Sequence, residues 1–261
     1  MRRLLCLFAV LFLACGPARA QWAPDTLATR RMSGWDIAGG IAAPVVLGGA
    51  GLGIHYLGHD ALEVPLREAV IGAPGHESTA VVEEVVSACR YVPVAMHLGL
   101  GLAGVPSRHA FRDRAIESAI AYLLCLGGGY VAKKAFASVR PDGSDAMSFP
   151  SGHCAIAFTG AGLLGIDYGP WWGAGGYTLA AATAAGRIWG DRHWLGDVLA
   201  GAGYGMLCAY AGYWLLDPVK KLFALPESSW DGFGTGRVRY AVAPSADPLS
   251  GGLCMSFAVT F

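Results

Sequence analysis

Three short clusters of ionisable residues lie at the ends of long apolar stretches in this chain. In chain order they are Lys133 with Arg140-Pro141, the run Pro150-Ser151-Gly152-His153, and the group Arg187, His193 and Asp197. In a bundle of alternating membrane helices, the loops that follow the third and the fifth stretch emerge on the same side. We therefore expect the three clusters to meet on one face of the membrane.

The cationic members of these clusters suit a compact, multiply charged anion such as phosphate. Arginine binds phosphate oxygens in pairs and lysine adds a point charge, so Lys133, Arg140 and Arg187 are predicted phosphate ligands. The run Ser151-Gly152-His153 at a helix start would add backbone N–H donors and a favourable dipole. A glycine at its centre lets the backbone approach the ligand closely.

Each of these residues, taken alone, has a plainer explanation. Lys133 could be a cation that reaches the interface from a helix end, Arg140-Pro141 a turn, and Ser151 a helix cap. His193 and Asp197 are four residues apart and would share a helical face, where they could form a structural hydrogen bond. Their joint occurrence favours a catalytic phosphate site.

Two histidines allow a division of labour in phosphoryl transfer. His193 is the predicted nucleophile, because Asp197 would hold its imidazole in the tautomer that leaves a lone pair free. His153 is the predicted general acid, which protonates the leaving oxygen. The sequence has no HExxH motif, no clustered acidic ligands and no Walker loop, so we predict neither a metal nor a cofactor.

The composition indicates a membrane protein. Apolar residues make up 54% of the chain and charged residues 15%, with 38 glycines and a mean hydropathy of +0.44. The net charge of zero does not indicate a broad basic surface for nucleic acid, and no nucleic-acid partner is predicted. Of the seven cysteines, five follow the first 20 residues and none forms a CxxC motif, so they are predicted to be buried apolar side chains. Six apolar stretches are predicted as helices, at 35–57, 79–104, 115–132, 153–167, 171–187 and 193–216.

The fold predicted from this pattern is all-α, a six-helix membrane bundle with a short C-terminal β-hairpin. Residues 1–20 resemble a secretory signal, with basic, apolar and small-residue parts in order. Residues 21–34 form a polar lead, 35–221 the helical domain, and 222–261 the tail. In the tail, alternation over 253–261 predicts a strand of a hairpin packed on the helical domain, since two strands cannot close a barrel. The mixed segment 60–72 is expected on the membrane surface.

In their order and spacing, the three clusters resemble the motifs of the type 2 phosphatidic acid phosphatase and vanadium haloperoxidase superfamily. The pattern K-x6-R-P, P-S-G-H and S-R-x5-H-x3-D is matched over roughly residues 79–216, with Gly186 in place of the serine of the third motif. The resemblance implies an all-helical bundle and a phospho-histidine intermediate. For membrane members it implies a lipid phosphate or lipid pyrophosphate substrate. The departure at Gly186 would remove one hydroxyl contact to phosphate.

The leading functional hypothesis is therefore a membrane phosphatase acting on a lipid phosphate or pyrophosphate. Candidate substrates are lipid A phosphates, undecaprenyl pyrophosphate, phosphatidic acid and phosphatidylglycerol phosphate, and no obligate protein partner is expected. Two alternatives stay open at this stage. One is a vanadate-dependent haloperoxidase, although those relatives are soluble, and the other is a membrane protein that binds or transports phosphate without catalysis.

Two features conflict over the orientation in the membrane. A cleaved segment 1–20 followed by six crossings would place the catalytic face in the cytoplasm. The positive-inside rule favours the opposite orientation, because the basic residues collect on the other face: Arg30, Arg31, Arg108, Arg112, Arg114, Lys220 and Lys221. We expect the inner membrane of a bacterial-type envelope, with the catalytic face in the periplasm.

Overall fold

A computed structural model describes residues 34–76, 80–225, 239–246 and 253–260, and the side chains of residues 40–76 and 83–225. The signal-like segment 1–20 and the polar lead up to residue 33 lie outside these ranges, so the predictions made for them stay predictions. The described helices are α1 (Gly34–Leu57), a π-helical turn (His59–Glu63), α2 (Val64–Ile71), α3 (Ala80–Cys89), α4 (Val92–Leu102), α5 (Phe111–Phe136), α6 (Gly152–Tyr168), α7 (Pro170–Trp189) and α8 (Leu195–Leu222).

Helices α6 and α8 form the centre of the bundle. Helix α8 packs against α1, α5 and α6, and α6 also packs against α4 and α7. Small residues make these contacts close: a Cβ atom on Gly203 would lie 2.5 Å from the carbonyl oxygen of Pro44, and one on Gly201 equally close to that of Ser151. Close approach through glycine is typical of membrane helix pairs, and here it sets α8 directly against the start of α6.

The helical character of residues 35–221 agrees with the sequence prediction, but the count of six membrane-crossing helices is not supported. Among the described residues, two segments are long and apolar enough to cross a membrane, Gly40–Leu57 and Phe111–Phe136. If the bent pair α3–α4 is counted as one span, there are three. Pro93 lies at the start of α4, and the chain bends by 44° there, because proline cannot continue a helix from the preceding turn. Helix α6 has 17 residues, fewer than the roughly 20 that a span requires.

The first helix is more regular than its composition suggests. Pro44 lies inside α1, which continues unbroken from Gly34 to Leu57. Proline and glycine weaken an isolated helix, so the packing of α1 against α8 must stabilise it. Tertiary contact therefore overrides local propensity at this helix.

The mixed segment 60–72 folds into the π-helical turn and α2. Its Glu63 is buried, and its carboxylate accepts hydrogen bonds from the Gly196 N–H at 2.7 Å and from His59 Nδ1 at 2.7 Å. A carboxylate near a helix N-terminus stabilises that end. The segment thus packs on the start of α8, and its predicted position on the membrane surface stays a prediction.

The tail contains two strands, β1 (Arg239–Ala246) and β2 (Leu253–Thr260), in antiparallel register with Arg239 opposite Thr260. The side chains of residues 226–261 lie outside the described residues. The predicted packing of this hairpin on the helical domain therefore has no support from the structure and stays a prediction.

Candidate active site

The loops at one end of the bundle bring the three sequence clusters together. The Ser151 N–H donates to the Asp197 carbonyl at 2.9 Å, which joins the second cluster to the third. The Trp194 indole N–H donates to the Val139 carbonyl at 2.9 Å, which joins the third cluster to the first. The ends of α5 and α7 and the starts of α6 and α8 therefore surround one site.

His193 lies at the centre of this site, in the loop between α7 and α8, with its side chain buried. Its Nε2 is 3.4 Å from an Arg140 guanidinium nitrogen. Its Nδ1 is 3.4 Å from the Ser148 hydroxyl and 3.5 Å from Asp197 Oδ2. One ring nitrogen thus faces a carboxylate and a hydroxyl, and the other faces a cation, where an anion would bind.

The surroundings of His193 keep its imidazole neutral at pH 7. Its pKa is lowered to about 4: burial lowers it most, the Asp197 carboxylate raises it, and the Arg140 and Lys133 charges lower it. A neutral imidazole has a free lone pair, which a nucleophile needs.

Asp197 belongs to the first turn of α8, whereas His193 precedes that helix, so the two do not share a helical face as the spacing predicted. The Asp197 carboxylate accepts hydrogen bonds from the Trp194 N–H at 2.9 Å and from the Ser148 hydroxyl. Ser148 was not identified from the sequence. The available signal was its position two residues before Pro150-Ser151, where a hydroxyl beside a catalytic motif could orient a neighbour.

His153, at the start of α6, contacts residues that no motif identified. Its Nε2 lies 2.5 Å from an Arg90 guanidinium nitrogen and 3.2 Å from the Ser87 hydroxyl. An arginine can only donate, so Nε2 accepts and the ring proton of the ligand-free form is on Nδ1. The end of α3 thus supplies the environment of the second histidine.

Three cations surround the site, and their environments differ. Lys133 donates to the carbonyls of Met147 and Ser148 at 2.6 and 3.3 Å. Arg140 donates to Asp145 at 2.8 Å. Arg187 is buried, and its Nε has no hydrogen-bond partner among the described residues. Burial of an unpaired guanidinium is costly, so Arg187 is available for an anionic ligand.

The start of α6 differs in one respect from the sequence expectation. Because the Ser151 N–H is already bonded to the Asp197 carbonyl, the N–H groups of Gly152 and His153 are the ones left for a phosphate. The Ser151 hydroxyl is buried without a partner among the described residues. Ser151 can therefore contribute its side chain but not its backbone donor.

Packing explains why glycine occupies position 186. A Cβ atom on Gly186 would lie 2.6 Å from Val86 Cγ2, on α3. A serine would push α3 away from α7. The missing hydroxyl is thus the consequence of a close contact between two helices.

Two paired arginines hold the loop of His193 in place. Arg67 binds Asp191 through two hydrogen bonds of 2.7 Å. Arg192 binds Glu83 through bonds of 2.8 and 2.7 Å and Asp142 through one of 2.9 Å. Paired bonds of this kind fix geometry as well as charge, so α2 and α3 position the loop that carries His193.

An apolar groove of about 280 Å³ opens between α1, α5 and α8 beside this site. Its lining includes Leu52 and Gly49 of α1, Phe136 of α5, and Phe149-Pro150. The last two immediately precede Ser151 in the second cluster. An apolar chain in the groove would thus reach the catalytic end of the bundle.

Comparison with known proteins agrees with the motif resemblance. Residues 114–221 match the sequence model described as the PAP2 superfamily. The chain is 39% identical over 130 residues to a protein named lipid A 1-phosphatase from Porphyromonas gingivalis. That alignment covers 48% of this chain and 29% of the relative, so the chain spans less than a third of the relative's length.

Two solved structures resemble the fold. One is LpxE of Aquifex aeolicus, at 21% identity and a TM-score of 0.45, covering 59% of this chain and 95% of that one. The other is the first transmembrane PAP2-type phosphatidylglycerolphosphate phosphatase from Bacillus subtilis. It is 18% identical, with a TM-score of 0.47, and the match covers 70% of this chain and 98% of that one.

Proposed function

We propose that this membrane protein, whose residues 114–221 match the sequence model of the PAP2 superfamily, hydrolyses a lipid phosphate through a phospho-histidine intermediate. The observation that carries the proposal is the position of His193. Its neutral imidazole presents Nε2 to Arg140, beside the unpaired Arg187 and an apolar groove. A phosphate group and an apolar chain can therefore be bound together at one nucleophile.

Substrate binding uses the positive charge at this end of the bundle. The phosphate oxygens accept hydrogen bonds from Arg140, Arg187 and Lys133 and from the N–H groups of Gly152 and His153 at the start of α6. These donors are fixed before the substrate arrives. They therefore stabilise the charge that spreads over the phosphoryl oxygens in the transition state.

In the first step His193 Nε2 attacks phosphorus. The P–N bond forms as the bond from phosphorus to the lipid oxygen breaks, and His153 gives its proton to that oxygen. Burial and the charges of Arg187 and Arg90 lower the pKa of His153 to about 2, so the role of general acid requires that His153 take up its proton as the substrate binds. The phosphate dianion acts in that direction, because it offsets the two arginine charges. Asp197, with Ser148, stabilises the proton on His193 Nδ1.

In the second step water hydrolyses the phospho-histidine. His153, now neutral, accepts a proton from the attacking water, the P–N bond breaks, and inorganic phosphate leaves. His193 returns to its neutral form. All the protons move between the substrate, water and these two histidines, and no step passes through a metal.

Among the candidate lipids, we favour lipid A carrying a 1-phosphate as the substrate. Support comes from the relative named lipid A 1-phosphatase, which the chain matches over 48% of its length. The groove between α1, α5 and α8 is the proposed position of an acyl chain. Burial of each methylene there contributes about 0.8 kcal/mol, so chain binding adds affinity that phosphate alone would lack.

The test is phosphate release by the purified full-length protein in detergent without added metal. The panel contains lipid A, phosphatidic acid and undecaprenyl pyrophosphate, with wild type beside His193→Ala. Release by wild type alone supports the proposal and ranks the substrates. No release by folded wild type favours a phosphate-binding protein, and vanadate-dependent halide oxidation would favour the haloperoxidase.

A further inference from the structure

A second cluster of ionisable residues lies at the opposite end of the bundle. It consists of His97 on α4, His109 in the loop before α5, Glu117 on α5 and Asp167 near the end of α6. His97, Glu117 and Asp167 are fully buried, and the His109 side chain is 20% exposed. Fourteen residues of α6 separate Asp167 from His153, a rise of about 21 Å, so this cluster is distinct from the catalytic site.

The four side chains converge on one point. His97 Nε2 lies 2.6 Å from Asp167 Oδ2, and His109 Nδ1 lies 2.7 Å from Asp167 Oδ1. His109 Nδ1 is also 3.3 Å from Glu117 Oε2. One ligand atom from each of His97, Glu117 and Asp167 lies within 4.8 Å of the others. The ligand atoms of two imidazoles and two carboxylates therefore lie within a few ångströms of one another.

Glu117 provides an independent indication of a missing cation. Both of its carboxylate oxygens are buried and form no hydrogen bond with a described residue. The nearby Arg114 donates instead to the hydroxyls of Ser107 and Tyr168. Oε2 has only the 3.3 Å contact with His109 Nδ1, and Oε1 has no partner among the described residues. A buried carboxylate of this kind is costly unless a cation or a proton compensates it, and a metal ion at Oε1 would do so.

We propose that His97, His109, Glu117 and Asp167 bind a divalent transition-metal ion, with Zn²⁺ as the best fit. Zn²⁺ takes four ligands from imidazole nitrogens and carboxylate oxygens at about 2.0–2.2 Å, which requires ligand atoms roughly 3.3–3.5 Å apart. The hydrogen-bonded pairs, at 2.6 and 2.7 Å, need to open by about 0.6–0.9 Å, and the widest separation, up to 4.8 Å, needs to close by up to about 1.5 Å. The site contains no thiolate, and its nitrogen and oxygen donors suit Zn²⁺ better than Ca²⁺ or Mg²⁺.

The surroundings of the cluster support ion binding. His97 Nδ1 is 3.0 Å from the Ser118 hydroxyl, a contact that orients the ring and leaves Nε2 directed at the site. Such outer contacts are typical of metal-binding histidines. The bound ion would cross-link α4, α5, α6 and the loop before α5, so its role is structural and the proposal does not depend on the phosphatase activity.

The direct test is the metal content of the full-length protein in detergent. The protein is stripped with a chelator, reloaded with one equivalent of Zn²⁺, desalted and measured by plasma mass spectrometry. We expect about one Zn²⁺ per chain in wild type and at least a tenfold loss in Glu117→Gln and in His97→Ala. The matched control is the double variant His153→Ala, His193→Ala, which removes the catalytic imidazoles and should keep its Zn²⁺.

A second measurement covers the case in which the cluster variants do not fold. X-ray absorption of Zn²⁺ bound to the double catalytic variant should show imidazole scattering and nitrogen or oxygen ligands near 2.0 Å. Absence of bound Zn²⁺ in wild type, its loss in the double catalytic variant, or a spectrum without imidazole would overturn the proposal. The cluster would then be a buried network of ion pairs.

Discussion

The two ring nitrogens of His193 have different neighbours, and this difference is the basis of its proposed role as nucleophile. Nδ1 faces the Ser148 hydroxyl and Asp197, whereas Nε2 faces Arg140. The Nδ1 contacts of 3.4–3.5 Å are long for hydrogen bonds, and such contacts often tighten when substrate binds. We expect a bound phosphate to take the Arg140 N–H onto one of its oxygens, which leaves the Nε2 lone pair free to attack, and the Nδ1 contacts to shorten.

The pH dependence of phosphate release tests the environment of His193. Its imidazole must be neutral to attack, and its pKa is lowered to about 4. The imidazole is therefore neutral above about pH 5 and becomes protonated as the pH falls through 4. We expect the acid limb of kcat/KM to fall by half near pH 4 rather than near 6.5.

A pH–rate profile from pH 3.5 to 8 on a short-chain phosphatidic acid measures this limb. The control is a check of folding by size exclusion at each pH, because acid also protonates carboxylates. An acid limb centred near 6.5 in the folded protein would mean that the nucleophile is not the buried His193.

Ser148 is predicted to position Asp197 and His193. Ser148→Ala removes a hydrogen bond to a buried carboxylate, which is worth about 1.5–3 kcal/mol. We expect kcat to fall roughly 10- to 100-fold with KM nearly unchanged, measured by steady-state phosphate release. The control is Ser144→Ala in the same loop, where the exposed Ser144 uses its backbone N–H to bind Asp142. An equal loss in both variants would contradict a specific role for Ser148.

At the scale of helices, the site depends on elements that carry no motif. Helix α3 contributes Arg90 and Ser87 to His153, and its Glu83 binds Arg192 of the catalytic loop. The α2 segment places Arg67 on Asp191. Helices α1, α5 and α8 form the apolar groove. The motif residues are thus positioned by helices whose sequences alone do not reveal this function.

The proposed binding of an acyl chain in the groove is tested by placing a larger side chain there from α1. Gly49 lines the groove, and a Cβ atom there would meet no atom within 4 Å. Gly49→Leu should therefore fold and occupy the place of an acyl chain. We expect KM for a long-chain lipid phosphate to rise about tenfold, with hydrolysis of a short-chain substrate unchanged.

Gly53→Leu is the matched control for this variant. Gly53 lies one turn further along α1 with equally open space, and it is not among the residues that line the groove. Equal changes in both variants, or none with Gly49→Leu, would place the acyl chain elsewhere.

At the scale of the whole molecule, the bundle has two chemically different ends. Cations and the two proposed catalytic histidines collect at one end, and the cluster of His97, His109, Glu117 and Asp167 lies at the other.

The positive-inside rule favoured a cytoplasmic position for the second end because of the basic residues there. Two of these basic residues form contacts within the protein and are not free to interact with the membrane surface. Arg114 is buried among hydroxyl groups, and Lys220 is bonded to Asp113 at 2.9 Å. Arg108, Arg112 and Lys221 are the described residues that still support the proposed orientation.

The proposed periplasmic position of the catalytic end is tested by labelling. A tag inserted at Ala146, in the exposed part of the loop between the first two motifs, should react with an impermeant reagent once the outer membrane is opened. A tag after Leu222 should react only when the inner membrane is also breached. The reverse pattern would place the catalytic end in the cytoplasm.

The sequence by itself determined the helical character of residues 35–221 and the types and spacing of the motif residues, because periodicity and motif spacing are local properties. It predicted that Lys133, Arg140, His153, Arg187 and His193 would share one end of the bundle, and the structure brings them together. Only the tertiary structure identified Arg90 and Ser148 as neighbours of the histidines and showed that the Ser151 N–H is already bonded. It alone placed His97 beside Asp167, 70 residues apart. These features depend on contacts between distant segments, which helix packing decides and local sequence does not encode.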